Sequence, residues 1–299
     1  MSWTLPSKII VQGITEPQGA YYSRKMKAYG TEIVAGVGIG CGGQRVDDIP
    51  VFELVEEAIE QVGEITTTLI FVKPDRVLDA AQEAIAANIK QILIMTNGVP
   101  PLDLVTLLKQ AKTTDTLILG PGSGGIIIPN KILLGTIEPS FYTPGSIGSI
   151  FSCNPLSYEV NLALTQAGLG QSMAISIGTG LILGSDCQQW LQVLEEDPNT
   201  EAIVLIGQLS DAIEEATANY ISSFTSKPVI AYIAGLQTPL ERPVRDAATI
   251  IANQLSYSVP ATKRDKQIVT TLQKAQVLLA KRPSHIPELV KKALQGNRG

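Results

Sequence analysis

The sequence predicts an α/β fold built as two doubly wound domains, and three observations predict it. Short β-branched runs are nearly continuous in apolar residues, as when helices cover both faces of a strand. Amphipathic segments of helical period lie between those runs. Glycine-bearing loops follow several of them, at the strand ends where open parallel sheets bind ligands. The 299 residues are 44% hydrophobic and 17% charged, enough apolar material for two buried cores.

The first series of strands is KIIVQ (8–12), EIVAGV (32–37), TTLIFV (67–72), QILIMT (91–96) and TLILG (116–120). Between them, PDRVLDAAQEAIAANIK aligns Val77, Ala81, Ile85 and Ile89 on one helical stripe, with Pro74 near the helix start. The stretch 121–145 breaks this rhythm with Gly and Pro and reads as a junction between domains 1–125 and 126–299. A second series follows: SIGSIF (146–151), SMAISIG (172–178), EAIVLIG (201–207) and PVIAYIAG (228–235).

Composition excludes several function classes. The net charge is −5 and no Lys/Arg cluster exceeds a pair, which argues against a nucleic-acid partner. No apolar stretch approaches the ~18 residues of a membrane span. MSWTLPSKII lacks the basic segment and apolar run of a signal peptide, so a cytoplasmic protein is expected. Cys41, Cys153 and Cys187 are far apart without CxxC spacing, indicating neither a disulfide framework nor a metal site.

Gly13-Ile-Thr-Glu-Pro-Gln-Gly19 is a strand–loop–helix unit that reads either as a phosphate cradle or as a plain tight turn. Glu16 weighs against phosphate, because a carboxylate there would itself satisfy the helix N-terminus and repel an anion. Similar loops follow at 36–43, 120–125 and 178–184. Together they favour a nucleotide-like ligand in the ancestry of the fold.

The residues VQGITEPQG, KAYGTEIVAGV, IPVF and NGVPPLDLV, with SYEV, DPNTEAIVLIG, KPVIAYIAG and IIA further on, carry a collinear resemblance. The chain resembles the α subunit of succinyl-CoA synthetase (succinate–CoA ligase, ADP-forming) over nearly its whole length. The resemblance implies a Rossmann-like CoA-binding domain at 1–125 and a flavodoxin-like domain at 126–299. It implies CoA contacts at Gly13, Thr15, Glu16, Pro17, Gln18, Gly19, Cys41, Met95, Thr96 and Asn97, and a substrate contact at Tyr158. It further implies a β subunit with an ATP-grasp site that holds nucleotide and Mg, and a phosphorylated histidine that relays the phosphoryl group.

Several positions depart from that pattern. The family's histidine falls on Asp246, in LERPVRDAATIIA, and its orienting glutamate on Gln208. The Ser-Arg-Ser-Gly-Thr segment becomes Phe151-Ser-Cys-Asn-Pro155, where Pro155 supplies no N–H, and a Gly-Asp pair becomes Thr179-Gly180. A CoA-facing lysine becomes Cys41 and a loop glycine becomes Glu16, which implies weakened CoA binding. The single histidine, His285, reads as a surface or helix-start residue, with Ser284 resembling a helix cap. Asp246 is then either an acceptor forming an aspartyl phosphate, or a polar helix-start residue hydrogen-bonded by Gln208. The expected function is an α-subunit-like protein that keeps a binding or assembly role without the relay. The alternatives are an active ligase subunit using Asp246, and a self-associating structural or regulatory homo-oligomer.

Overall fold

The computed structural model describes residues 3–152, 154–180, 182–208, 215–234 and 269–296. Cys153 and Asp246 lie outside the described residues, as does the side chain of Gln208.

The first sheet holds β1 (Ile9–Gln12), β2 (Ile33–Val37), β3 (Arg45–Val46), β4 (Ile49–Phe52), β5 (Thr67–Ile70), β6 (Gln91–Ile94) and β7 (Leu117–Leu119). Its helices are α1 (Pro17–Tyr29), α2 (Val55–Val62), α3 (Val77–Ala86) and α4 (Pro101–Thr114). The strand order is β3-β4-β2-β1-β5-β6-β7, parallel except where β3 meets β4. From β4 onward this is the 3-2-1-4-5-6 succession of a dinucleotide-type sheet, whose order reverses beside β1. Alternate residues serve opposite faces. Ile10, Ile70, Ile92 and Ile94 pack with Val77, Ala81, Leu104 and Leu107 of α3 and α4. Ile9, Val11, Leu69 and Leu93 pack with Met26 of α1 in a core continuous with the second sheet.

Local chemistry sets the helix ends. Pro17 opens α1, and Gly30 (φ 105°) closes it, with the Gly30 and Thr31 amides returning to Lys27 and Met26. In the crossover after β5, Pro74 opens a separate 3₁₀ turn, Pro74–Arg76, and α3 starts at Val77. The stripe Val77, Ala81 and Ile85 is buried as expected. Ile89 is also buried but lies beyond the helix, because Asn88 at φ 62° turns the chain away.

The second sheet holds β8 (Gly125–Ile128), β9 (Ile132–Gly135), β10 (Pro144–Phe151), β11 (Gln171–Ser176), β12 (Ala202–Gln208), β13 (Val229–Ala234) and β14 (Leu278–Leu279). Helices α5 (Asn154–Gln166), α6 (Cys187–Glu196), α7 (Glu215–Phe224) and α8 (Ile286–Gly296) accompany it. The order is β14-β13-β12-β10-β11-β8-β9. Its parallel part, read from β11, is the 2-1-3-4-5 succession of a doubly wound sheet.

The stretch expected to be a junction therefore contributes two strands and opens a third. Pro129-Asn130-Lys131 forms a three-residue hairpin loop, with Asn130 at φ 60° and the Lys131 amide donating to the Ile128 carbonyl at 2.9 Å. Strand β9 lies against α1 and the residues that follow it: Thr31 bonds the Leu133 backbone, and the Gly135 amide points at the Met26 sulfur. Strands β3, β4 and β14 also stood outside the expected set, each being two to four residues long.

Candidate ligand-binding site

A cavity of about 500 Å³ opens where the order of the first sheet reverses, at the carboxyl ends of β1, β2 and β5. Gly13, Thr15 and Glu16 form one wall, Gly38 and Ile39 a second, and Lys73, Arg76 and Asp79 a third. Its floor is polar and tied down. The buried Gln12 amide donates to the Ala80 carbonyl at 2.8 Å and to Glu83 at 3.3 Å, while accepting from Thr68 at 3.0 Å. Glu83 also accepts from the Val55 amide at the start of α2, at 2.7 Å. Burial outweighs those two donors and raises the Glu83 carboxyl above its ordinary value.

The loop after β1 is shaped by two glycines. Gly13 takes φ 81°, and its amide reaches the Val37 carbonyl at 2.8 Å. Gly19 lets α1 approach that turn, since a Cβ there would sit 2.0 Å from the Gly13 carbonyl oxygen. Glu16 holds the N-cap position but makes no side-chain capping bond, contrary to expectation. Its side chain lines the cavity instead, being one methylene longer than the residues that reach back to cap a helix.

The loop after β2 carries its own anion. The Gly40 amide donates to one oxygen of Glu53 at 2.7 Å, and the Gly42 amide to the other at 2.8 Å. The Gly42 amide, then that of Gly40, hold the Glu53 carboxyl below its ordinary value. Cys41, between them, turns its amide to the Gly38 carbonyl and does not line the cavity.

The other expected positions lie elsewhere. Pro17 and Gln18 are exposed at the start of α1. Met95 is buried, Thr96 donates to the Val72 carbonyl at 2.7 Å, and Asn97 accepts from Thr179 of the second domain at 3.1 Å. Tyr158 stacks on Phe141, with ring centroids 4.8 Å apart, rather than lining the cavity. Phe151 is buried at the end of β10 and Pro155 is the second residue of α5. Ser284 lies inside the 3₁₀ turn Pro283–His285 instead of capping a helix, because Pro283 starts that turn; His285 ends it, exposed. Burial pushes the Cys187 thiol up to about 12. Gln12, Glu53, Lys73, Arg76 and Glu83 were not anticipated as site residues. The available signal was Lys-Pro-Asp-Arg directly after a strand, a charged turn at a ligand-facing end.

Among the described residues no group of His, Cys, Asp and Glu is arranged to hold a metal ion, and no helix is long and apolar enough to cross a membrane.

Comparison with known proteins places this geometry in context. Residues 4–98 match the CoA binding domain family and residues 150–272 the CoA-ligase family. The chain is 35% identical over 288 residues to succinate–CoA ligase [ADP-forming] subunit alpha 2 of Archaeoglobus fulgidus, covering 96% of this chain and 97% of that one. It is 37% identical over 248 residues to the malate–CoA ligase subunit alpha of Methylorubrum extorquens, covering 82% and 83%. The fold matches ATP citrate lyase from Methanothrix soehngenii, solved with citrate and coenzyme A, at a TM-score of 0.80 and 16% identity. It also matches a dinucleotide-forming acetyl-coenzyme A synthetase from Ca. Korarchaeum cryptofilum, at a TM-score of 0.69 and 18% identity. Each structural match covers 97% of this chain, which spans 50% of the lyase and 59% of the synthetase.

Proposed function

This chain belongs to the succinate–CoA ligase α-subunit family, and from that premise we propose that it binds CoA at the first-domain cavity without relaying a phosphoryl group. One observation carries the second half of this reading. The chain has a single histidine, and His285 sits exposed on a 3₁₀ turn before the C-terminal helix, while Asp246 holds the position the family resemblance gives to the phosphorylated residue. A relay needs a nitrogen nucleophile, an orienting group and an anion site acting together. Gln208, Phe151, Pro155 and Thr179 replace the family's groups at the other positions.

The CoA half rests on the cavity at the sheet's reversal point and on the CoA-binding match over 4–98. The protein works in an assembly, with an ATP-grasp β-type subunit as the fitting partner. Nucleotide and Mg enter only through that partner, in the cytoplasm.

Incubation with ATP, Mg²⁺ and a cognate β subunit tests the reading. The expected result is no covalent phosphate on this chain, and no succinyl-CoA above the β-only control. A hydroxylamine-sensitive phosphate mapped to Asp246 would overturn it and establish an aspartyl-phosphate ligase. Asp246→His with Gln208→Glu is expected to stay inactive until 151–155 is also restored to Ser-Arg-Ser-Gly-Thr, because residues of one catalytic unit do not act additively.

A further inference from the structure

The loss of a cation at Cys41 implies weak phosphate binding, but the cavity has another source of positive charge. Among the described residues that line it, Lys73 and Arg76 alone are cationic. They bracket the turn that Pro74 starts, and the Arg76 amide donates to the Lys73 carbonyl at 2.9 Å to close it. Both line the same wall of the cavity.

Both cations are exposed, and neither makes an ion pair or side-chain hydrogen bond with a described residue. Arg76 stands at the N-cap of α3, where the helix dipole favours an anion, so its charge is unfavourable there until an anionic ligand arrives. Of the opposing carboxylates, Glu83 is engaged by the Val55 amide and Gln12, leaving Glu16 and Asp79 facing the cavity. The glycine loop after β2 offers no alternative at Gly40 and Gly42, because Glu53 already occupies those two amides.

We propose that phosphate anchoring has moved in this chain from the loop after β2 to the turn after β5, where Lys73 and Arg76 hold the phosphates of CoA. The proposal rests on the CoA reading above and names the residues that make it work despite Cys41 and Glu16.

Calorimetric titration tests it with three probes at low and moderate salt: CoA, dephospho-CoA and inorganic pyrophosphate. The proteins are the unmodified chain, Lys73→Ala/Arg76→Ala, and Lys73→Gln/Arg76→Gln, which keeps most of the side-chain stems. Both double variants are expected to melt at the unmodified temperature. Each is expected to lose about tenfold or more in CoA affinity, with a flatter salt dependence, as befits lost charged contacts. If dephospho-CoA binds the unmodified chain as weakly as CoA binds the variants, the cations hold the 3′-phosphate. If it binds like CoA, they hold the diphosphate. Variants that bind CoA and pyrophosphate like the unmodified chain would overturn the proposal. Uptake of pyrophosphate that depends on Lys73 and Arg76, without uptake of CoA, would uphold the cationic turn and sink the CoA reading. Uptake of neither by the unmodified chain would sink both.

Discussion

Thr179 donates a hydrogen bond to Asn97 across 3.1 Å, joining the loop after β11 in the second domain to the end of β6 in the first. The Gly122 amide donates to the Thr96 carbonyl and the Thr179 amide to the Pro121 carbonyl, so this corner is laced from both sides. Thr179→Val should remove one exposed bond at a stability cost below about 1 kcal/mol. The same change should leave CoA affinity within about twofold, because Asn97 does not line the cavity. Calorimetry and CoA titration on one sample check both parts.

Gly19→Ala should be far more damaging than an alanine in the first turn of a helix normally is. The new methyl would stand 2.0 Å from the Gly13 oxygen, so the helix or the loop must shift. Overpacking of this kind typically costs ~1–3 kcal/mol. A lowered melting temperature together with lost CoA binding is expected.

Thr31→Val probes the contact between the end of α1 and β9. The buried Thr31 hydroxyl donates to the Leu133 carbonyl at 2.7 Å and accepts from the Leu133 amide at 3.1 Å. Valine fills the same volume but leaves two buried backbone groups unpaired, which should cost ~1–3 kcal/mol in denaturant unfolding. Thr31→Ser, which retains the hydroxyl, should recover most of that loss.

The latch on the second glycine loop should be acid-labile. The folded Glu53 carboxyl is held below its ordinary value of 4.5, so the ionised form is the one the loop favours. Its contribution is complete above the ordinary value and disappears as pH falls through the lowered folded value. Amide exchange at Gly40 and Gly42, normalised for intrinsic rate, should stay slow near neutrality and speed up in acid. Glu53→Gln should show the fast behaviour at every pH.

Much of this architecture was legible in the sequence. The apolar strands of the parallel sheets appear where periodicity puts them because both of their faces are buried, as in Ile9–Gln12 and Gln91–Ile94, where even the terminal glutamines are covered. Gly and Pro dominate the surroundings of the hairpin after Gly125, so the sequence there reads as a junction between domains. The hairpin's signal was local: Pro-Asn between the apolar runs Ile126–Ile128 and Ile132–Leu134. Gly13, Thr15 and Glu16 reach the cavity from one short loop, so the sequence displays them as a unit. Gln12, Lys73, Arg76 and Glu83 converge from three segments, and only the strand order brings them to one cavity. Glu53 meets Gly40 and Gly42 across the β3–β4 hairpin, a pairing that spacing does not announce.

The position of β9 also bears on the order in which the chain can assemble during synthesis. The last strand of the first sheet ends at Leu119 and the hairpin follows at Gly125, but β11, the strand that flanks it, begins only at Gln171. For that interval the flank of α1 at Met26, with Thr31 just beyond the helix, is a surface on which the nascent hairpin can rest. Docked there, it presents β8 as a ready edge for the strand still to come. The first domain thus serves as the template on which the second begins, and a chain severed between Leu119 and Gly125 should yield an N-terminal half that dissolves poorly until its other half is supplied.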